Sequence, residues 1–181
     1  MEVRRPVVGA REVPVERWSP PPSPFSKINV DVSWSNVSRL GFARVIIRDE
    51  GGRFLAATRY PFLAPNATAA EALALICGCE LGISMGVSST MIESDSLEAI
   101  SCLRGSLDNG SWEAYPFLAR ALRLSESFQN CRWSWVPRSA NMAADALVSA
   151  GFMEICDVVW VDKPPSSLVY VLCNDGLPCP H

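Results

Sequence analysis

At 181 residues and 19.8 kDa, nearly half of them apolar and only a fifth charged, the chain has enough material for one packed domain and too little for two. A net charge of −3 and a pI near 5.2 exclude a global basic footprint, although fourteen of the sixteen basic residues are arginines, whose forks match phosphate oxygens. The one histidine, His181, is the last residue, which excludes Ser–His–Asp, Cys–His and H-E-x-x-H chemistry and leaves carboxylates as the working groups of any enzyme.

Residues 1–26 are proline-rich, end in Ser19-Pro-Pro-Pro-Ser-Pro24 and read as an extended linker. Regular structure is expected from Lys27, where Ile28, Val30, Val32 and Trp34 alternate with Asn29, Asp31 and Ser33 as in a strand with one apolar face. Phe42 to Arg48 reads as a second strand, Asp49-Glu-Gly-Gly52 as a hairpin turn, and Arg53 to Tyr60 as the returning strand. Asn66 or Thr68 can cap a helix that runs to about Met85 and stops at Gly86. Val87 to Glu93 is a short strand, and a helix follows from Asp95 through Leu103. Residues 105–110 form a loop, Trp112 to Phe128 has helical apolar spacing, Cys131 to Val136 is a fifth strand, and a last helix spans Asn141 to Ala150.

The expected fold class is α/β: a five-stranded mixed sheet with helices on both faces, the domain spanning 27–151 and followed by a tail at 152–181. Seven cysteines without a C-x-x-C pair read as reduced thiols in an intracellular, non-secreted protein of the nucleus or cytoplasm. No stretch approaches the roughly 20 uninterrupted apolar residues of a membrane span, so no membrane partner is expected.

Four acids stand in apolar company. Glu71 is the only charge between Arg59 and Glu80, and Asp145 the only one between Arg138 and Glu154. A buried carboxylate is costly unless paired or bound to a metal; each could instead face solvent on a thin polar stripe. Asp31 lies mid-strand, where aspartate is disfavoured, but alternation also allows it a wet face. Asp95 joins a strand to a helix and is either a site acid or a cap with Glu98 three residues on, while Glu93 on the same strand face is the alternative acid. An oxygen-rich cluster of this kind suits magnesium, two ions of which can act on a phosphodiester. Paired acids also serve glycoside hydrolysis, for which no sugar-shaped cleft is evident.

Lys27-Ile-Asn-Val-Asp-Val-Ser-Trp34, Val45-Ile-Ile-Arg-Asp49, Ala70-Glu-Ala-Leu-Ala-Leu75, Ile92-Glu-Ser-Asp-Ser96 and Val136-Pro-Arg-Ser-Ala-Asn-Met-Ala-Ala-Asp-Ala-Leu147 occur in an order that resembles the type 1 ribonuclease H family, in particular the reverse-transcriptase-like domain of plant retroelements. The resemblance covers roughly residues 17–175. It implies a ribonuclease H-like fold, with Asp31, Glu71, Asp95 and Asp145 as catalytic and metal-binding acids. It further implies Mg2+ as cofactor, two ions or Mn2+ in its place, and Ser33, Ser96, Arg138 and Asn141 as substrate-binding residues. The implied reaction is endonucleolytic cleavage of the RNA strand of an RNA–DNA hybrid by a monomer. The chain departs from the family at Val32, at Phe42 and Arg44 in place of two glycines, and at Trp135 in place of a histidine. Those departures leave a second expectation open: a catalytically weak or inactive module of the same fold that binds nucleic acid or a protein partner.

Overall fold

Alternation does the first part of the folding. Ser26–Trp34 (β1), Leu40–Arg48 (β2) and Phe54–Leu63 (β3) form an antiparallel meander. The β2–β3 turn is held by the Asp49 carboxylate, which accepts from the backbone N–H groups of Gly51 (3.0 Å) and Arg53 (2.8 Å), and it closes through Gly52 at a φ of +80°. The structure is a computed structural model that describes residues 15–147 and 157–175.

Ala67–Ser84 (α1) begins where the Asn66 side chain accepts from the Ala69 N–H at 2.8 Å, and the chain leaves it through Gly86 at a φ of +68°. Ser89–Ser94 (β4) runs parallel to β1, Leu97–Arg104 (α2) follows, and Tyr115–Ser125 (α3) leads into Asn130–Trp135 (β5), parallel to β4. Met142–Asp145 (α4), Val158–Val161 (β6) and Ser166–Asn174 (α5) complete the described elements.

The sheet therefore has six strands rather than five, in the order β5-β4-β1-β2-β3-β6. The extra strand comes from the supposed tail: Val158–Val161 pairs antiparallel with Ala56–Arg59 on β3, and Leu168 and Leu172 of α5 are fully buried nearby. Within the supposed tail, β6 and α5 thus pack onto the sheet. The helix expected over Asn141 to Ala150 is α4, which ends at Asp145; residues 148–150 lie outside the described residues. The third helix starts at Tyr115 with a proline in its first turn, so Trp112 stays outside it and exposed. Cys77, Cys79, Cys102 and Cys131 are free thiols, whereas Cys173 is disulfide-bonded, against the expectation of reduced thiols throughout.

Two cores flank the sheet. Ile28, Val30, Ala43, Val45 and Ile47 pack against α1, with α3 behind it. By length and composition α1 could cross a membrane, but most of it is buried here in the core. Its seat on β1 is close: a Cβ at Gly78 would lie 2.8 Å from Val30, and one at Gly82 would lie 2.7 Å from Ile28. That approach brings Glu71, on the same helix, toward the strand that carries Asp31.

The opposite face joins Ile46, Phe54 and Ala57 to Ala143, Ala144, Leu147, Leu168 and Leu172. Beside this core runs a buried polar network. The indole of Trp18 donates to Asn29 Oδ1 at 2.8 Å and its ring stacks 3.4 Å from the Arg48 guanidinium. Asn29 Nδ2 donates to Glu93 at 2.9 Å, and Lys27 pairs with Glu93 at 2.8 Å. Arg48 also reaches Asp175 at 2.6 Å, and burial pulls its pKa down to about 10 against that partner. The supposed linker is thus docked at Trp18, which is 6% exposed, and Glu93 is spent on this network.

Candidate active site

The pleat puts Asp31 and Arg44 on one side of the sheet, and the antiparallel register sets them directly opposite each other. The Arg44 guanidinium meets both Asp31 and Asp145. Its Nη2 donates to Asp31 Oδ2 and, at 3.2 Å, to Asp145 Oδ1, while Nη1 donates to the Asp145 backbone carbonyl at 2.7 Å. Arg138 adds a second guanidinium to Asp145 Oδ1 at 3.3 Å, though its own side chain is 71% exposed. Burial raises the Asp31 pKa; Arg44 opposes this, and the charges of Asp95 and Asp145 reinforce it.

Glu71 enters from α1. Its Oε2 is buried with no hydrogen-bond partner, and its pKa is pushed up to about 8, first by burial and then by the charges of Asp95 and Asp31, with the charge of Arg44 opposing them. Asp95 follows the last residue of β4. It does not cap α2; Ser96 does, accepting from the Ala99 N–H at 3.4 Å. Four acids, from β1, α1, the β4–α2 corner and α4, therefore share one electrostatic neighbourhood, with Asp31 and Asp145 held by arginine and the Glu71 Oε2 without a hydrogen bond. An orphaned buried carboxylate oxygen beside two other carboxylates has the chemistry of a hard-cation site. Among the described residues, however, no three acids are arranged as a ready-made ligand set.

This arrangement can be set beside known proteins. The reverse transcriptase-like family matches residues 29–151. The chain belongs to that family. No curated protein matches it. Among solved structures it resembles the N-terminal RNase H domain of a Mycobacterium tuberculosis protein at a TM-score of 0.62 and 20% identity, over 67% of this chain and 88% of that one. It also resembles RNase H1 from the halophilic archaeon Halobacterium salinarum at 0.60 and 24%, over 67% and 92%. LC11-RNase H1, solved in complex with an RNA/DNA hybrid, gives 0.60 and 19% over 67% and 92%. At these identities the likeness shows the fold, which is that of ribonuclease H.

Within this reverse transcriptase-like domain the four residues expected to touch substrate occupy different settings. Ser33 is exposed near the end of β1, Ser96 serves as the α2 cap, and Arg138 lies at the rim on Asp145. Asn141 is 1% exposed, and its amide donates to the Val30 carbonyl at 2.9 Å, which fastens the segment before α4 to β1. Trp135 is 42% exposed, so it is not a core residue, and its indole donates to the Asp95 carbonyl at 3.1 Å. Arg44 was not among the expected site residues. The signal for it was present as an arginine where the resembling family has glycine.

Proposed function

We propose that this protein hydrolyses the RNA strand of RNA–DNA hybrids endonucleolytically with magnesium, Asp31, Glu71, Asp95 and Asp145 forming the acid centre. The observation that carries this reading is the unpartnered, buried Oε2 of Glu71 beside Asp31 and Asp95. A buried carboxylate with no proton donor is an unfavourable arrangement unless a cation completes it. Glu71 and Asp95, with Asp31 adjoining, would hold the ion. Magnesium, or manganese in its place, supplies there a Lewis acid for the phosphodiester.

The chain's own residues do the rest. Asp95 is presented at the β4–α2 corner, whose position is set by the Ser96 cap and the Trp135 indole. Asn141 and Arg44 tie the α4 segment to β1 and β2, fixing Asp145 against Asp31. Arg138 offers an exposed donor fork that suits a phosphate of the bound hybrid. Discrimination of the hybrid would rest on duplex shape and 2′-hydroxyl contacts rather than on base sequence.

The deciding experiment is cleavage of an end-labelled hybrid by excess protein in Mg2+ and in Mn2+, with DNA duplex and RNA duplex as controls. Products carrying a 3′-hydroxyl and a 5′-phosphate from the hybrid alone, abolished by chelation, are expected. No cleavage in either metal would sink the reading. A second reading draws on a specific observation, the Arg44 guanidinium on Asp31 and Asp145: a weak or silent module of the same fold that binds nucleic acid or a protein partner. Hybrid binding without cleavage is its signature.

A further inference from the structure

Arg44 is placed by the sheet itself. Asp31 pairs with Arg44, Val30 with Val45 and Val32 with Ala43, so the ladder fixes the root of the side chain opposite Asp31. The side chain is 12% exposed and its Nε is buried without a partner, so all of its hydrogen bonding is delivered by the fork at the far end. That fork meets two carboxylates and one backbone carbonyl, and a guanidinium does not shed its charge.

Asp31 and Asp145 are consequently neutralised from within. A second guanidinium, Arg138, sits on Asp145, and Arg59 stands opposite Arg44 on β3, where the charge of Arg44 helps to lower the Arg59 pKa after burial. An incoming cation meets positive charge on this side. The charge of Arg44 is felt at Glu71 too, but no guanidinium bonds to the Glu71 Oε2, which makes no hydrogen bond. Arginine is thus bonded directly to Asp31 and Asp145 and not to the Glu71 Oε2.

We propose that Arg44 stands in for one cation of the centre, so that the protein takes up one divalent ion fewer than the same four acids would without that guanidinium. The proposal rests on the metal-dependent reading given above and specifies how the chain's own charge limits it. It makes Arg44 a positioning residue that holds Asp31 and Asp145 in place in metal-free protein, and sets the ion count through them.

The test is a count of bound Mn2+, by calorimetry and by the electron paramagnetic resonance signal of the free ion, for wild type, Arg44→Gln and Arg44→Gly. Circular dichroism checks that each variant is folded. One ion is expected in wild type and two in the variants. In chelator the variants should melt lower than wild type, because Asp31 and Asp145 then repel each other, and Mn2+ should restore more of that loss than it adds to wild type. Equal counts in wild type and folded variants would overturn the proposal. If the variants do not fold, a count of two in wild type overturns it unaided. None in wild type and one in the variants would support Arg44 as the substitute and overturn the metal-dependent reading instead. None in any of the three would overturn both.

Discussion

The Trp135 indole donates to the Asp95 backbone carbonyl at 3.1 Å, tying the end of β5 to the corner where β4 turns into α2. An indole has one donor and does not titrate near neutrality, whereas the histidine of the resembling family can move a proton. Trp135→His is expected to raise the steady-state rate on hybrid while single-turnover cleavage changes by less than about twofold, since proton exchange at the rim assists release rather than the metal-borne step. Trp135→Phe should cost about 0.5–1.5 kcal/mol in urea denaturation, the net worth of one hydrogen bond. Equal steady-state rates for wild type and the histidine variant would refute the release argument.

Asp31 and Asp95 should behave alike in activity and oppositely in stability. Either change to asparagine is expected to abolish cleavage. In metal-free buffer Asp31→Asn removes the charge that Arg44 meets while keeping an acceptor oxygen, and should destabilise by at most about 1.5–3 kcal/mol, the worth of a hydrogen bond to a charged group. Asp95→Asn removes a charge that raises the pKa of both Asp31 and Glu71, so its melting temperature should hold or rise. Matching melting shifts for the two variants would contradict this division of the centre.

Buried thiols give the protein an alkaline limit. Burial pushes Cys77 up to about 12 and raises Cys79 further, against about 9 for an accessible thiol. The folded state therefore keeps protons that the unfolded state releases. Their contribution is complete below about pH 9 and declines as pH rises toward 12, by at most about 1.4 kcal/mol per pH unit for each thiol. Urea midpoints should fall between pH 8 and pH 10.5, and the Cys77→Ala/Cys79→Ala variant should show a flatter profile. Identical slopes would rule these thiols out.

Trp18 anchors the segment before β1 through its bond to Asn29 and its stacking on Arg48. Trp18→Ala is expected to cost about 3–5 kcal/mol, as for other buried tryptophans. Exposing the Lys27–Asn29–Glu93 network to water should also quicken amide exchange in β1. A change below 1 kcal/mol, again by denaturant melt, would mean that the segment is a loose linker after all.

The meander and α1 were legible because period-two alternation, the Asp-Glu-Gly-Gly turn and an Asn66 cap are local signals. The sixth strand was not: Val158–Val161 is too short to show a period, and it is a strand only because β3 offers an unpaired edge. Trp18 sits among prolines, and its burial follows from side chains on β1 and β2 that no local window contains. Glu71 and Asp145 stood out as lone charges in apolar stretches, whereas Asp31 and Asp95 stood out only by their places in mid-strand and at a strand–helix junction. Arg44 was legible only as a missing glycine, because its partners depend on the register between β1 and β2 and on an aspartate 101 residues away. The same non-locality hid the fastening role of Asn141, which was expected only to touch substrate and whose bond to Val30 spans 111 residues.

Pairing across β1 and β2 puts the charge of Arg44 under the control of one codon. Every arginine codon is a single base from a glycine codon, and the strand pairing opposite Asp31 uses backbone groups that a glycine also carries. One point mutation can therefore add or remove the guanidinium on Asp31 and Asp145 while the four acids stay in the sequence, a genetic switch whose two settings differ in a single side chain.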